Sequence, residues 1–142
     1  IFMAVDMRSL TEQLVQHEGL RQNPYYCTAG KLTIGVGRNL EAVGISKAEA
    51  MFMLENDIIR VMAELDEHLP WWRNLSQVRR HVLVDMAFNL GIFGLLKFQK
   101  TLKAIQDERW ADAGIEMLDS RWAQQVGQRA KTLAKMMETD AQ

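Results

Sequence analysis

The sequence HEGLRQNPYYCTAGKLTIG, residues 17–35, joins the end of a predicted helix to a glycine-marked hairpin and carries three chemically useful side chains. Glu18, Cys27 and Thr33 follow one another with eight and then five residues between them. A carboxylic acid, a thiol and a hydroxyl suit glycoside hydrolysis, in which one group protonates the leaving oxygen while others manage the incoming water. Glu18, Cys27 and Thr33 are therefore the candidate catalytic residues.

The hairpin is predicted from the turn at residues 28–30, which lies between strand-like segments at 25–27 and 31–37. A three-residue loop fits best, because its third residue is left-handed and Gly30 supplies it. That loop pairs Tyr25 with Thr33 and places Cys27 and Thr33 on the same face of the sheet. Thr33 and the glycines at 35 and 37 would then form a polar, nearly side-chain-free surface on which a sugar chain lies, with close backbone approach.

The rest of the chain reads as helical, apart from short connections. Ser9 with Glu12, and Ser46 with Glu49, have the spacing of capping boxes, which predicts helices over about 9–18 and 46–67. Gly19 suits the end of the first helix, and Pro70 limits the second. Further apolar stripes predict helices around four groups of residues: Val78, Val82, Leu83, Met86 and Leu90; Phe98, Leu102 and Ile105; Trp110, Ala113, Ile115 and Met117; Val126, Ala130, Leu133 and Met137.

Length and composition indicate one soluble globular domain, since 142 residues are 48% hydrophobic and 25% charged. One small hairpin among predicted helices makes the expected fold class α+β, mostly helical. A net charge of −1 argues against a dedicated nucleic-acid binder. Residues 71–142 hold 11 basic and 8 acidic side chains, against 6 and 10 in residues 1–70. The basic excess of the second half favours an anionic polymer such as peptidoglycan, or is a solvated helix face.

Cofactor and membrane signals are missing from the sequence. Cys27 is the single cysteine, so it forms no intrachain disulfide, and no His, Cys or Asp grouping has metal-ligand spacing. No metal or other cofactor is expected. No apolar run reaches the length of a membrane span, and the opening IFMAVDM is too short for a signal peptide. We expect a monomer with no stable membrane association.

From about Leu10 to about Met137 the chain resembles the tailed-phage lysozymes, glycoside hydrolase family 24. The resemblance is carried by the Glu18, Cys27 and Thr33 spacing, by EGL and TIGVG around it, and by VRR at 78–80, MAFNLG at 86–91, SRW at 120–122 and QRA at 128–130. It implies a small hairpin lobe over about 19–45, a connecting helix over about 46–67, and a helical lobe over about 70–140 on which the helix at 9–18 packs. The active cleft would lie between the lobes.

The resemblance also implies muramidase activity on the bond between N-acetylmuramic acid and N-acetylglucosamine. Glu18 would be the general acid, Cys27 would organise the attacking water, and Thr33 would be its hydrogen-bonding partner. The resemblance assigns substrate-binding roles to Asn89, Trp122 and Arg129, and it implies that Arg129 pairs with Glu18.

Two departures from better-known family members, and one choice within the family pattern, bear on the site. The connection between Leu40 and Ile45 is only Glu-Ala-Val-Gly, which favours a more open cleft. Arg38 stands where many relatives carry histidine, so a structural ion pair there is expected to be rearranged. Cys27 takes a place where the family pattern has Asp or Cys, and a thiol is only about 3% ionised at neutral pH. Either a water held by Cys27 and Thr33 attacks directly, or the thiolate forms a covalent glycosyl-enzyme.

Other interpretations stay open at this point. Cys27 could be an inert buried residue, and Thr33 could simply be a residue that favours a strand. Asn89 could cap a helix or lie in the core as an amide, and Trp122 could be a packing residue. A catalytically weak or silent peptidoglycan-binding homologue is the main rival function, and a helical nucleic-acid binder is a second. An endolysin would wait in the host cytoplasm and act at the periplasmic cell wall, by an export route that the sequence does not identify.

Overall fold

The computed structural model describes residues 4–142 and is mostly helical with one small antiparallel sheet, which confirms the predicted α+β class. The chain divides into two compact units, the first ending at Met51 and the second covering Phe52–Gln142. In chain order the elements are α1 (Met7–Glu18), β1 (Arg21–Tyr26), β2 (Leu32–Gly35), β3 (Arg38–Asn39), α2 (Lys47–His68), a 3-10 turn (Pro70–Asn74), α3 (Gln77–Leu90), α4 (Ile92–Leu96), α5 (Gln99–Gln106), α6 (Trp110–Leu118), α7 (Arg121–Val126) and α8 (Gln128–Thr139).

Helix α1 begins earlier than predicted. The carboxylate of Asp6 accepts a hydrogen bond from the backbone N–H of Ser9 at 3.2 Å, so Asp6 is the N-cap and Ser9 lies in the first turn. An acidic cap is favourable at the positive end of the helix dipole, which explains why the start moves from Ser9 to Asp6. The predicted end is confirmed: Gly19 has φ 77° and its N–H donates to the carbonyl of Val15 at 2.8 Å.

The hairpin has the predicted loop and register. Tyr25 pairs with Thr33, the N–H of Cys27 donates to the carbonyl of Lys31 at 3.0 Å, and Gly30 has φ 75°. The second strand is shorter than the predicted 31–37, because Gly35 and Gly37 take left-handed φ values of 70° and 67° that interrupt an extended chain. The turn at 36–37 leads into β3, which completes the sheet in the order β1-β2-β3.

Helix α2 starts with the predicted capping box. The hydroxyl of Ser46 accepts from the N–H of Glu49 at 3.1 Å, and the carboxylate of Glu49 accepts from the N–H of Ser46 at 2.8 Å. The helix ends at His68, one residue beyond the prediction, and Pro70 opens the 3-10 turn. Within its apolar stripe only Val61 and Leu65 are buried, so the C-terminal half of α2 contributes to the core of the second unit.

The second unit holds the hydrophobic core, to which α2 to α8 and the 3-10 turn contribute. Its most deeply buried side chains are Leu65, Trp72, Val82, Leu83, Met86, Leu95, Ile105, Met117 and Met137. The last helix, predicted as one element, is divided at Gly127, whose φ of 59° separates α7 from α8. This break leaves Val126 in α7 while Ala130, Leu133 and Met137 face the core from α8.

The lobe boundaries that the sequence predicts, and the packing of the first helix on the helical lobe, stay predictions. Across residues 4–142 none of the helices has the combination of length and apolar character that crossing a membrane requires.

Candidate active site

Glu18 is the last residue of α1, and its carboxylate lies against the backbone of Gly37. A β-carbon placed on Gly37 would be 2.7 Å from Oε2 of Glu18 and 3.1 Å from its carboxyl carbon. Gly37 also has a left-handed φ of 67°, so both its conformation and its lack of a side chain suit the position. The exposed acid is thereby placed at the turn between β2 and β3, within the first unit.

Cys27 and Thr33 lie on the same face of the hairpin, as the register requires. The thiol of Cys27 is half-buried. A backbone hydrogen bond from Lys31, and then one from Ala29, lowers the pKa of the Cys27 thiol below its ordinary value; the Thr33 side chain adds to this, while burial opposes it. Hydrogen bonds to the thiolate raise its population, which reduces the handicap of a thiol as a proton acceptor.

Thr33 is only 3% exposed, so it does not form part of the open polar surface that was predicted for a sugar chain. Its hydroxyl donates to the carbonyl of Lys31 at 2.8 Å. Because β2 is the central strand, the side chain has a neighbour on each side, Tyr25 on β1 and Asn39 on β3. The Thr33 side chain, which contributes to the lowered pKa of Cys27, is therefore itself closed to solvent.

Asn89 and Trp122 are joined in the second unit. The indole Nε1–H of Trp122 donates to Oδ1 of Asn89 at 2.7 Å, and its ring packs edge-on against Phe98 with centroids 5.9 Å apart. Trp122 is 4% exposed, as expected of a packing residue, and its role in substrate binding stays a prediction. The side chain of Asn89 is exposed near the end of α3. Trp122 takes one of the two acceptor positions of the amide oxygen, and the NH₂ group of Asn89 has two donors of its own.

Arg129 binds Asp85 within the second unit, and its pairing with Glu18 of the first unit stays a prediction. Oδ1 of Asp85 accepts from Nε of Arg129 at 2.8 Å and lies 2.6 Å from its Nη2. The physical reason is local: α3 and α8 pack against each other, which brings the two side chains together within one unit. Asp85 was not among the residues singled out from the sequence, and an acidic residue two positions after the buried Leu83 gives no distinct signal.

Arg38, which stands where many relatives carry histidine, forms a second ion pair. Its Nη1 lies 2.6 Å from Oε1 of Glu49 and also donates to the carbonyl of Gly44 at 3.3 Å. Hydrogen bonding from Arg38, and then from Ser46, lowers the pKa of Glu49 to about 2. The pair connects β3 to the first turn of α2, next to the turn that seats Glu18.

Metal coordination finds no support in the side chains that the structure describes. Over residues 4–142, no three His, Cys, Asp or Glu side chains are grouped so that they could hold an ion. The first unit carries a carboxylic acid, Glu18, and a thiol with lowered pKa, Cys27.

Comparison with known proteins gives one family and several relatives. The family model described as Phage lysozyme matches residues 15–139. The chain is similar to two proteins of Dictyostelium discoideum named Probable T4-type lysozyme 1 and 2, with 25% and 28% identity over 92% of this chain and 94% of each relative. It is also 28% identical to the SAR-endolysin of Escherichia phage Mu, over 91% of this chain and 74% of that protein.

Proposed function

Because the chain belongs to the phage lysozyme family, we propose that Glu18, Cys27 and Thr33 form the catalytic group of a peptidoglycan-cleaving enzyme. At the level of the family, the protein is a muramidase, a glycoside hydrolase that acts on peptidoglycan. The finer proposal assigns individual roles to the residues of the first unit. It is supported above all by the position of the Glu18 carboxylate, which lies on Gly37 in the same unit as the hairpin that carries Cys27 and Thr33.

In the proposed reaction, protonated Glu18 donates its proton to the oxygen that links N-acetylmuramic acid to N-acetylglucosamine. As the bond from the anomeric carbon to that oxygen breaks, a water held beside Cys27 forms the new bond to the anomeric carbon. The proton of that water passes to the thiolate, whose population the backbone hydrogen bonds increase. Thr33 acts as a positioning residue for the sulfur, since its own hydroxyl is buried.

Direct attack by water inverts the configuration at the anomeric carbon, whereas attack by the thiolate gives a covalent intermediate and overall retention. Proton NMR of the first product distinguishes them. The single displacement proposed here releases the α anomer first from the β-linked substrate. Initial release of the β anomer would refute it and favour the covalent route.

The decisive experiment compares two acidic residues on α1. Glu18→Gln is expected to abolish clearing of a peptidoglycan suspension, because the amide has no proton to donate to the leaving oxygen. Glu12→Gln is the matched control, since Glu12 is also an exposed glutamate of that helix. Unchanged lysis by the Glu18 variant would remove this residue from the mechanism. Mass spectrometry of the muropeptides identifies the bond cut, and anhydro products would indicate a lyase instead of a hydrolase.

A second candidate function rests on the thiol at the second catalytic position. A homologue that binds peptidoglycan but turns it over weakly would keep the fold and lose rate, because an ionised carboxylate is the more abundant base at neutral pH. Such a protein sediments with insoluble peptidoglycan without clearing it. In that case Cys27→Asp is expected to restore lysis, while in the main proposal it changes the rate of an already active enzyme.

We also propose that the protein works as a monomer at the periplasmic cell wall, after release from the host cytoplasm, without stable association with membranes or nucleic acid. The near-balanced charge of the chain supports the last point. Size-exclusion chromatography with light scattering, at working concentration, tests whether the purified protein is a monomer. Elution at the mass of a dimer would contradict this proposal.

A further inference from the structure

The carboxylate of Glu18 lies on a turn that contains two glycines. The turn is closed by the pairing of Ile34 on β2 with Arg38 on β3. Between them, Gly35 and Gly37 have left-handed φ values of 70° and 67°. A β-carbon added to Gly37 would stand 2.7 Å from Oε2 of Glu18, so the acid lies directly against this residue. Because glycine has the least restricted backbone of all residues, the turn needs a restraint from outside to hold Gly37 at one place.

The next residue, Arg38, supplies such a restraint. Its Nη1 donates to Oε1 of Glu49 at 2.6 Å and to the carbonyl of Gly44 at 3.3 Å. The same oxygen of Glu49 accepts from the N–H of Ser46 at 2.8 Å, so the guanidinium is tied to the first turn of α2. Since Arg38 follows Gly37 directly, the ion pair limits the movement of the turn that carries the acid.

The ion pair suits a geometric role better than a stabilising one. Its two side chains are 36% and 42% exposed, so solvent screens the charges and the contribution to stability is modest. Hydrogen bonding from Arg38, and then from Ser46, lowers the pKa of Glu49 to about 2, which keeps this carboxylate ionised at neutral and mildly acidic pH. The restraint is therefore present over the whole pH range in which lysis is usually measured.

We propose that Arg38 and Glu49 are positioning residues for the catalytic acid, because their ion pair fixes the turn at Gly37 and thereby the carboxylate of Glu18. The proposal rests on the proposed function, since it takes Glu18 as the proton donor. Without the pair, the turn samples more positions and the acid spends less time within reach of the leaving oxygen. The loss falls on kcat, because the acid acts in the chemical step.

The test uses Glu49→Gln, which keeps the length of the side chain and an oxygen for the N–H of Ser46 but removes the charge that Arg38 pairs with. This variant is expected to lower kcat on soluble peptidoglycan fragments about threefold to tenfold and to change KM by less than about twofold. Arg38→Leu removes the other partner and is expected to show the same change. Arg38→Lys keeps the charge and is expected to retain most of the wild-type kcat. Wild-type kcat in both Glu49→Gln and Arg38→Leu would overturn the proposal.

Ser46→Ala is the matched control at the same helix terminus. It removes the hydroxyl that accepts from the N–H of Glu49 at 3.1 Å but leaves both partners of the ion pair in place. Loss of a helix cap is expected to lower the urea midpoint at least as much as Glu49→Gln does, with kcat unchanged. An equal loss of kcat in the two variants would show that the rate follows the stability of the helix terminus, and this would overturn the proposal.

A double-mutant cycle on kcat tests whether the ion pair acts through Gly37. Gly37→Ala places a β-carbon against the carboxylate of Glu18 and displaces it directly. If Glu49→Gln displaces the same carboxylate, the combined loss is expected to be smaller than the product of the two separate losses. A combined loss equal to that product would show two independent effects and would contradict the proposed route.

An NMR measurement keeps this inference separate from the proposed function. In protein labelled with ¹³C-glutamate, the carboxyl signal of Glu18 is identified by its absence from Glu18→Gln. This signal is expected to shift or broaden in Glu49→Gln and to stay unchanged in Ser46→Ala, whether or not the enzyme turns over. Unchanged lysis by Glu18→Gln together with the shifted signal contradicts only the proposed function. An unchanged Glu18 signal in Glu49→Gln contradicts only this inference.

Discussion

Gly37→Ala tests whether the catalytic acid depends on a position without a side chain. The added β-carbon would stand 2.7 Å from Oε2 of Glu18, whereas ordinary contacts begin at about 3.4 Å. The carboxylate must therefore retreat by about 0.7 Å, and it can do so because it is the far end of an exposed side chain. Since a misplacement of about 1 Å costs on the order of a hundredfold in rate, we expect kcat to fall roughly tenfold or more.

Stability has to be separated from that effect. Alanine at a φ of 67° is strained, which costs roughly 1–2 kcal/mol of unfolding free energy. Gly44→Ala is the matched control, because Gly44 has φ 63° and nothing lies within 4 Å of an added β-carbon. Both variants are expected to show a similar loss of unfolding free energy in urea.

The assay measures the initial rate of solubilisation of dye-labelled peptidoglycan at saturating substrate, alongside the urea midpoint of each variant. Only Gly37→Ala is expected to lose the rate, while Gly44→Ala keeps it. If the two variants kept the same rate, or lost it equally, the contact between Gly37 and the acid would have no bearing on catalysis. A larger side chain at Gly37 is expected to deepen the loss.

Three other expectations concern titration and packing. The pKa of Glu49 is lowered to about 2 in the folded protein, against about 4.3 in the unfolded chain. Its pairing with Arg38 therefore stabilises the fold fully at a pH above about 4.3, and this stabilisation is lost as the pH falls through about 2. Glu49→Gln should lower the urea midpoint near neutral pH and not at about pH 2. An equal deficit at both pH values would contradict this. Met117→Ala removes a fully buried side chain and should cost about 2–5 kcal/mol in urea unfolding, and a loss well below that range would show that the site collapses. Alkylation of Cys27 by iodoacetamide should reach half its maximal rate below the pH of an ordinary thiol, and Thr33→Val should move that midpoint upward; a midpoint unaffected by Thr33→Val would exclude its hydrogen bond as a cause.

Structural features that depend only on residues close together in the sequence could be predicted. The hairpin loop needs only the left-handed residue that Gly30 supplies, and the capping box at Ser46 and Glu49 closes within four residues. The start of α1 was missed because Asp6 and Ser9 are both good caps and the choice depends on which side chain reaches the free N–H groups. The break at Gly127 was missed because apolar spacing continues across it.

The site residues of the second unit were harder to interpret for a different reason. The burial of Trp122, its bond to Asn89, and the binding of Arg129 by Asp85 join residues 33 and 44 positions apart. Nothing in the local pattern distinguishes a tryptophan on a sugar from one in a core. The spacing of Glu18, Cys27 and Thr33 identified three residues that lie within one unit. It could not show that Thr33 is buried, because this depends on the strands that flank β2 on both sides.

The two ends of the connection between β3 and α2 are joined by an ion pair and a hydrogen bond. Arg38 reaches across it to the carbonyl of Gly44 and to Glu49, so the two ends are held together whatever the residues between them do. Because lengthening an already closed loop costs only about 0.6 kcal/mol for each doubling, this connection is a suitable place to insert a tag or a targeting peptide. An engineered lysin carrying cargo there would keep its hairpin and its long helix joined at the same point.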